Sequence, residues 1–164
     1  MPGDRIRRYL DTSVFIEVIA GQPKAPQCAE VLRAAEQGLT EVVISPVVQA
    51  ELLKVSTNGG TRDANCDAER DMLRQYLRHA WLHMQPVTQR AGVLAQQYRW
   101  EYRLKTPDAL HLACAIEAKS DVFETLNTND FLHLAGDFPS LDIRTPQWEG
   151  DRTLPVDESQ QPPS

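Results

Sequence analysis

The fold of this chain follows from the run Arg8-Tyr9-Leu10-Asp11-Thr12-Ser13-Val14-Phe15-Ile16, in which an apolar strand passes into a helix at an acid. The strand is predicted over residues 6–10. Thr12 or Ser13 can cap the helix that follows, because a hydroxyl there accepts a hydrogen bond from a free N–H group of the first turn. Gly21-Gln22-Pro23 ends this first unit, and the same strand-to-helix step recurs along the chain.

The rest of the chain repeats this alternation. Apolar and β-branched runs predict strands at residues 41–45, 82–87, 122–126 and 141–144. Apolar stripes, caps and first-turn prolines predict helices at residues 26–37, 46–55, 67–80, 88–104 and 106–119, with a short helical turn at 130–134. A chain that alternates in this way forms a parallel sheet with helices on both faces. We therefore predict a three-layer α/β/α fold around a central, mainly parallel sheet.

The length of 164 residues fits one domain, which we place at residues 1–145. Pro, Gln, Asp, Glu and Ser dominate from residue 146 onward, so residues 146–164 are predicted to form a flexible tail. No apolar segment predicts a signal peptide or a membrane span. Cys28, Cys66 and Cys114 form no Cys-x-x-Cys pair, which argues against a zinc ribbon and a disulfide framework. We expect a soluble, cytoplasmic protein.

The formal charge of -6 does not exclude a nucleic-acid substrate, because the acids are unevenly placed. Residues 146–164 hold four acids and one arginine, a net charge of -3, so residues 1–145 carry the other -3. Four acids in that body, Asp11, Glu51, Asp108 and Asp130, contribute -4, so the body is near neutral without them. Whether an anionic partner binds would then depend on local basic residues and on a bound metal ion rather than on the net charge.

These four acids each fall close to a strand-to-loop or loop-to-helix junction. In an open parallel sheet the carboxyl ends of the strands share one edge, and ligands bind at that edge. Carboxylates gathered there repel one another unless a cation lies among them. Oxygen donors of this kind suit Mg²⁺ or Mn²⁺, which commonly act on phosphate esters. The pattern indicates metal-dependent cleavage of a phosphodiester.

Taken singly, each acid also has an ordinary structural explanation. Asp11 could cap the first helix, and Asp130 could cap the short turn that follows it. Asp108, after Pro107, could simply favour the helix dipole from the first turn. Glu51 could lie on a solvated helix face. These separate explanations are less convincing for the four acids as a set, because the alternating topology places all four near the same edge of the sheet.

Four motifs in order resemble the PIN-domain nucleases, in particular the VapC-type toxins of bacterial toxin–antitoxin pairs. The resemblance covers about residues 9–144. The motifs are Leu10-Asp11-Thr12-Ser13-Val14, the helix that carries Glu51, Thr106-Pro107-Asp108-Ala109-Leu110-His111-Leu112-Ala113, and Thr125-Leu126-Asn127-Thr128-Asn129-Asp130-Phe131.

The resemblance implies that Asp11, Glu51, Asp108 and Asp130 are the catalytic, metal-coordinating acids. It matches Thr12 or Ser13 to the small hydroxyl residue beside the first acid, and Thr125 to the hydroxyl that opens the last motif. We expect Thr12, Ser13 and Thr125 to hold carboxylates in place by hydrogen bonds. Many members have an acid where this chain has Asn127, so the fourth metal contact could be either Asp130 or Asn127.

The resemblance further implies a PIN-like fold, a Mg²⁺- or Mn²⁺-dependent endoribonuclease, an antitoxin partner and a homodimer. Two other functions stay open. One is a PIN nuclease of RNA processing or DNA metabolism without an antitoxin. The other is a non-catalytic PIN-like binding module, against which the four intact acids argue.

Basic residues before Asp108 are candidates for binding RNA. Arg103 and Lys105 lie at the predicted helix end beside the site, where cations could contact phosphates. Tyr98 and Tyr102 fit the apolar stripe of their helix and are expected to pack. His111, one turn after Asp108, could shuttle a proton, but a packed or hydrogen-bonded role is the expectation we favour.

Overall fold

A five-stranded parallel sheet forms the centre of the computed structural model, which describes residues 5–52, 71 and 74–148. The strands are β1 (Arg7–Leu10), β2 (Glu41–Ile44), β3 (Leu82–Met84), β4 (Val122–Glu124) and β5 (Asp142–Arg144). They lie in the order β3-β2-β1-β4-β5, and every neighbouring pair is parallel. Each predicted strand is therefore present within a few residues of its predicted bounds.

Helices connect these strands where the sequence predicts them. The helices are α1 (Thr12–Ile19), α2 (Ala25–Glu36), α3 (Pro46–Leu52), α4 (Gln89–Tyr102), α5 (Thr106–Glu117) and α6 (Thr128–Phe131), and a 3₁₀ turn (Leu132–Leu134) follows. Gly38, just after α2, has a φ of 74°, a left-handed conformation that favours glycine. The Thr88 hydroxyl caps α4 by accepting from the backbone N–H of Ala91 at 3.0 Å.

The cap of α1 is Asp11 rather than Thr12 or Ser13. Its backbone is still extended, with φ of -80° and ψ of 175°, and its carboxylate accepts from the backbone N–H of Ser13 at 3.0 Å. Thr12 and Ser13 were therefore wrong as caps by one or two positions, whereas the ordinary structural explanation given for Asp11, that it caps the first helix, is confirmed.

Two buried clusters, one on each face of the sheet, make up the core. Successive residues of a strand point to opposite faces, and in β1 Tyr9 belongs to one cluster and Leu10 to the other. Helices α4 and α5 cover the Tyr9 face, and α1, α2 and α3 cover the Leu10 face. This arrangement confirms the predicted three-layer α/β/α fold.

A buried ion pair, not predicted from the sequence, joins β1 and β4 on the Leu10 face. Arg8 Nη1 lies 2.6 Å from Glu124 Oε1, and both side chains are fully buried. Arg8 also donates to the backbone carbonyl of Gln147 at 3.3 Å, and its guanidinium lies 5.5 Å from the ring centre of Trp148. The pair therefore binds the chain that follows β5.

Some predictions fall wholly or partly outside the described residues. The loop predicted from Asn58 to Cys66 lies outside them. So does much of the helix predicted over 67–80. Of its described residues, 71 and 74–76 are helical and 77–80 are not, so the prediction extends the helix too far toward β3. Of the predicted tail, residues 146–148 are described. Pro146 is buried, and its carbonyl accepts from the side-chain amide of Gln27 at 3.0 Å.

The strand order reverses at β1, which fixes where a ligand can bind. The chain runs outward from β1 to β2 and β3, then returns to add β4 and β5 on the other side. The crevice between the carboxyl ends of β1 and β4 is thus the switch point at which open α/β sheets bind ligands. A hydrogen bond of 3.2 Å from Asp11 N to the Glu124 carbonyl links the two strand ends there. Within the described ranges, no helix is both long and apolar enough to cross a membrane.

Candidate active site

Asp11 lies at the end of β1 with both carboxylate oxygens hydrogen-bonded. Oδ1 accepts from the backbone N–H and the hydroxyl of Ser13, and Oδ2 accepts from the Thr125 hydroxyl at 2.5 Å. Burial raises the pKa of Asp11 above its ordinary value, opposed by His111 and by these hydrogen bonds. The ionised carboxylate of Asp11 is thus oriented by the protein but is shielded from water. Because burial disfavours its negative charge, binding of a cation beside it is favourable.

The turn after β4 is attached to the start of α1 around Asp11. The Ser13 hydroxyl accepts from the backbone N–H of Leu126 at 2.9 Å. The Thr125 hydroxyl, which donates to Asp11, accepts from the backbone N–H of Asn127 at 2.9 Å. Each hydroxyl therefore uses a donor and an acceptor role, so its rotation is fixed and the position of Asp11 is fixed with it.

Glu51, in the second turn of α3, reaches the same edge of the sheet. Its Oε2 accepts from the Thr12 hydroxyl and lies 2.8 Å from Nε2 of His111. We expected Thr12, like Ser13 and Thr125, to hold a carboxylate by a hydrogen bond, and the carboxylate that its hydroxyl contacts is that of Glu51.

Asp108, in the first turn of α5, is the carboxylate whose pKa is raised by the charges of the other three acids. Burial, then the charge of Asp130, raises its pKa to about 6; Asp11 and Glu51 add to the rise, and His111 opposes it. Electrostatic repulsion of this kind falls off with distance, so the four acids predicted from the sequence are electrostatic neighbours.

Asp130 does not line the cleft, although it contacts a residue that does. The side-chain amide of Asn127 donates to Asp130 Oδ2 at 2.8 Å, and Asn127 is the one of the two that lines the cleft. Asp130 still acts on Asp108 through its charge.

A cleft of about 640 Å³ opens between α1, α3 and α5. Its polar wall is formed by Asp11, Thr12, Ser13, Glu51, Asp108, His111 and Asn127. Ile16 of α1, and Ala20 and Gln22 just after this helix, extend the lining. The predicted RNA-binding residues Arg103 and Lys105 are exposed and do not line it. They flank Leu104, between the end of α4 and the start of α5, three to five residues before Asp108.

The donors fit a hard divalent cation in kind, although they do not form a closed cage. Among residues 5–52, 71 and 74–148, no three His, Cys, Asp or Glu side chains form a group that could hold a metal ion unaided. Mg²⁺ rarely has such a cage, because it keeps several waters and takes one or two carboxylates together with substrate phosphates. An open cleft lined by Asp11, Glu51 and Asp108 agrees with that mode of binding.

His111 is the site residue whose contacts the sequence did not indicate. Its ring is buried, and its two nitrogens contact Tyr9 and Glu51. From the sequence we favoured a packed or hydrogen-bonded role for His111, one helical turn after Asp108, but its partners could not be named. A sharper signal would have been Tyr9, because a tyrosine in a buried strand needs a partner for its hydroxyl.

Comparisons with known proteins agree with this geometry. The family model described as PIN domain matches residues 8–137. No curated protein matches the chain. Among solved structures, a toxin–antitoxin complex from Klebsiella pneumoniae is similar with a TM-score of 0.59 and 23% identity, covering 82% of this chain and 94% of that one.

Two further solved structures have the same fold. VapBC2 from Rickettsia felis, bound to a DNA fragment from its promoter, has a TM-score of 0.61 and 17% identity, covering 88% of this chain and 100% of the other. The sarcin-ricin loop cleaving toxin VapC20 from Mycobacterium tuberculosis has a TM-score of 0.54 and 15% identity, covering 71% and 86%. At these identities the likeness establishes the shared fold.

Proposed function

The chain belongs to the PIN-domain family, and on that premise we propose that it is a metal-dependent endoribonuclease, the toxin of a VapBC-type toxin–antitoxin pair. One observation carries the proposal. Asp11, buried and held through both oxygens, shares a single cleft with Glu51 and Asp108 at the switch point of the sheet. Such an arrangement costs folding free energy unless a cation compensates it.

Mg²⁺ or Mn²⁺ is the cofactor we propose, held by Asp11, Glu51 and Asp108, with Asp130 or Asn127 as the fourth contact. When bound, such an ion makes a water nucleophilic at neutral pH and offsets negative charge on the reacting phosphate. The hydroxyls of Ser13 and Thr125 hold Asp11, and Thr12 and His111 hold Glu51. These contacts reduce the reorganisation needed when substrate arrives.

RNA is the substrate we propose, and we expect its strand to approach the cleft from the junction of α4 and α5. Arg103 and Lys105 are exposed there and can contact phosphates close to Asp108. Trp100, on the last turn of α4, is 88% exposed and offers a ring on which a base can stack. VapC20 cleaves the sarcin-ricin loop, which makes a looped or single-stranded RNA the first substrate to try.

An antitoxin and a second copy of this chain are the proposed protein partners. Support comes from the similar structures, which include a toxin–antitoxin complex and a VapBC pair bound to promoter DNA. We place the protein in the cytoplasm, where RNA is present and where the buried thiols of Cys28 and Cys114 would stay reduced.

Induced expression in a bacterial host tests the proposal as a whole. The wild-type chain should arrest growth, Asp11→Asn should not, and co-expression of a small DNA-binding protein encoded in an adjacent reading frame should relieve the arrest. Arrest that Asp11→Asn reproduces in full would contradict the nuclease. Cleavage without any neutralising neighbour would instead favour a PIN nuclease of RNA processing.

A further inference from the structure

The imidazole of His111 lies between the core of the sheet and the cleft. It is 1% exposed, although it comes one turn after Asp108 on the helix that borders the site. Nδ1 is 2.8 Å from the Tyr9 hydroxyl, and Nε2 is 2.8 Å from Glu51 Oε2 and 3.2 Å from the Thr12 hydroxyl. Both ring nitrogens are therefore engaged by side chains of the protein.

Tyr9 provides a rigid support for this imidazole. It is the central residue of the buried part of β1, and its ring stacks on Phe123 of β4 with 5.5 Å between centroids and 4° between planes. Its hydroxyl donates to Ser45 Oγ at 2.7 Å. Ser45 directly precedes α3, so the same tyrosine fixes both His111 and the start of the helix that carries Glu51.

Glu51 needs such support more than Asp11 does. Its side chain is 30% exposed, whereas Asp11 is buried and is the cap of a helix. A glutamate carries two more rotatable bonds beyond χ1, and fixing a side chain of this kind costs up to about 2 kcal/mol of conformational entropy. A preformed partner that is itself immobile lowers the share of this cost that falls on metal or substrate binding.

We propose that His111 is a positioning residue for Glu51: supported by Tyr9 and Ser45, it holds the Glu51 carboxylate toward the cleft that Glu51 shares with Asp11 and Asp108. The inference rests on the proposed function where it concerns metal binding. The contact between His111 and Glu51 does not depend on that function.

Isothermal titration calorimetry of the full-length protein with MnCl₂ tests whether His111 contributes to metal binding. His111→Leu fills the space without a polar group and should weaken Mn²⁺ binding by about 10- to 100-fold, the usual effect of losing a partner of a metal ligand. His111→Gln keeps a side-chain N–H that can reach Glu51 and should recover most of the affinity. His133→Gln, at an exposed histidine, is the matched control and should bind Mn²⁺ as the wild type does.

Tyr9→Phe keeps the stacked ring and removes only the hydroxyl that supports His111. It should weaken Mn²⁺ binding in the same direction as His111→Leu, by less. Tyr98→Phe, at a buried tyrosine of α4 outside the cleft, controls for the general effect of losing a tyrosine hydroxyl. This pair keeps the proposal testable even if His111→Leu does not fold.

A double-mutant cycle in EDTA tests the contact without metal. Urea unfolding of the wild type, His111→Leu, Glu51→Ala and the double variant gives the coupling, which we expect to be about tenfold in the unfolding equilibrium constant. Coupling together with the loss and recovery of Mn²⁺ affinity supports the proposal. The proposal is overturned if the effects of the two single substitutions on the free energy of unfolding are additive. It is also overturned if His111→Leu folds and binds Mn²⁺ as the wild type does.

The two proposals can fail separately. Wild-type protein that binds no Mn²⁺ and cuts no RNA, yet shows the coupling, would refute the nuclease while upholding the positioning of Glu51. RNA cleavage by a wild-type protein whose cycle shows no coupling would uphold the nuclease and refute the positioning.

Discussion

The Thr125 hydroxyl, at the end of β4, donates a hydrogen bond of 2.5 Å to Oδ2 of Asp11 at the end of β1. The two residues are 114 positions apart in the sequence, yet adjacent strands bring them to the same crevice. The bond therefore connects the strand order of the sheet with the orientation of the proposed first metal ligand. It also explains why a hydroxyl residue is needed where β4 ends.

Thr125→Val should lower the RNase rate by about 10- to 100-fold, because it keeps the shape of the side chain and removes the donor to Asp11. Leaving a buried oxygen of Asp11 without this partner should also cost about 1–3 kcal/mol of stability in EDTA. Thr125→Ser retains the hydroxyl and should recover most of the rate. Equal rates for Thr125→Val and the wild type would show that this bond does not orient Asp11.

Stability without metal should fall as the pH rises from about 4 to about 6. The pKa of Asp108 is raised from 3.8 to about 6 in the folded protein, so between these values the folded chain binds more protons than the unfolded chain. The free energy of unfolding then decreases with increasing pH. Urea unfolding in EDTA across this range measures the slope.

Asp108→Asn should flatten this slope, and Asp137→Asn, at an exposed acid, should leave it unchanged. Because Asp11 and Glu124 also have raised pKa values, some slope will remain in Asp108→Asn. Excess Mg²⁺ should reverse the trend by stabilising the ionised carboxylates. A slope identical in the wild type and Asp108→Asn would contradict the raised pKa.

The fourth metal contact can be decided between Asp130 and Asn127. We expect Asp130→Asn to weaken Mn²⁺ binding by about tenfold or more, because it removes the charge that acts most strongly on Asp108. Asn127→Ala should have a smaller effect, since it removes an amide that donates to Asp130. Calorimetric titration would give the opposite order if Asn127 is itself the ligand.

Arg103→Gln and Lys105→Gln should each reduce the salt dependence of RNA binding. A side chain that contacts one phosphate of a single strand contributes about -0.7 to the slope of log affinity against log salt. Binding is measured in the Asp11→Asn background, so that the RNA stays intact. Arg33→Gln, at an exposed residue of α2, is the control. An unchanged slope in both variants would move the RNA path elsewhere.

Glu124→Ala should lower the free energy of unfolding by about 3–5 kcal/mol, because it removes the side chain that accepts from the buried guanidinium of Arg8 and leaves that charge without its partner. Glu41→Gln breaks the part-exposed pair between Arg7 and Glu41 and should cost less than about 1 kcal/mol. Thermal and urea unfolding of the two variants would contradict this account if their costs were equal.

Most of the fold was predictable, because it depends on patterns that are local in sequence. The β-branched run at 42–44 forms β2, the first-turn proline at 107 begins α5, and Gly38 follows the end of α2. The cap of α1 was misplaced, since Asp11, Thr12 and Ser13 are all residues that cap helices well. The order of the strands across the sheet required the structure.

The site was predictable as a set of acids and unpredictable as a set of contacts. Asp11, Glu51 and Asp108 line one cleft, as the junctions after the strands suggested. No local pattern indicates that Tyr9 supports His111 from 102 positions away, or that Arg8 and Glu124 form a buried pair inside strands read as apolar. Such contacts depend on which faces of distant elements meet.

Cleavage of a labelled single-stranded RNA by the purified protein tests the central claim most directly. With Mg²⁺ or Mn²⁺ the wild type and Asp137→Asn should cut the RNA, EDTA should stop both, and Asp11→Asn should be slower by about a hundredfold or more while unfolding at a similar urea concentration. Cleavage by Asp11→Asn at the wild-type rate, or wild-type cleavage that persists in EDTA, would contradict the assignment of this cleft as a metal-dependent nuclease site.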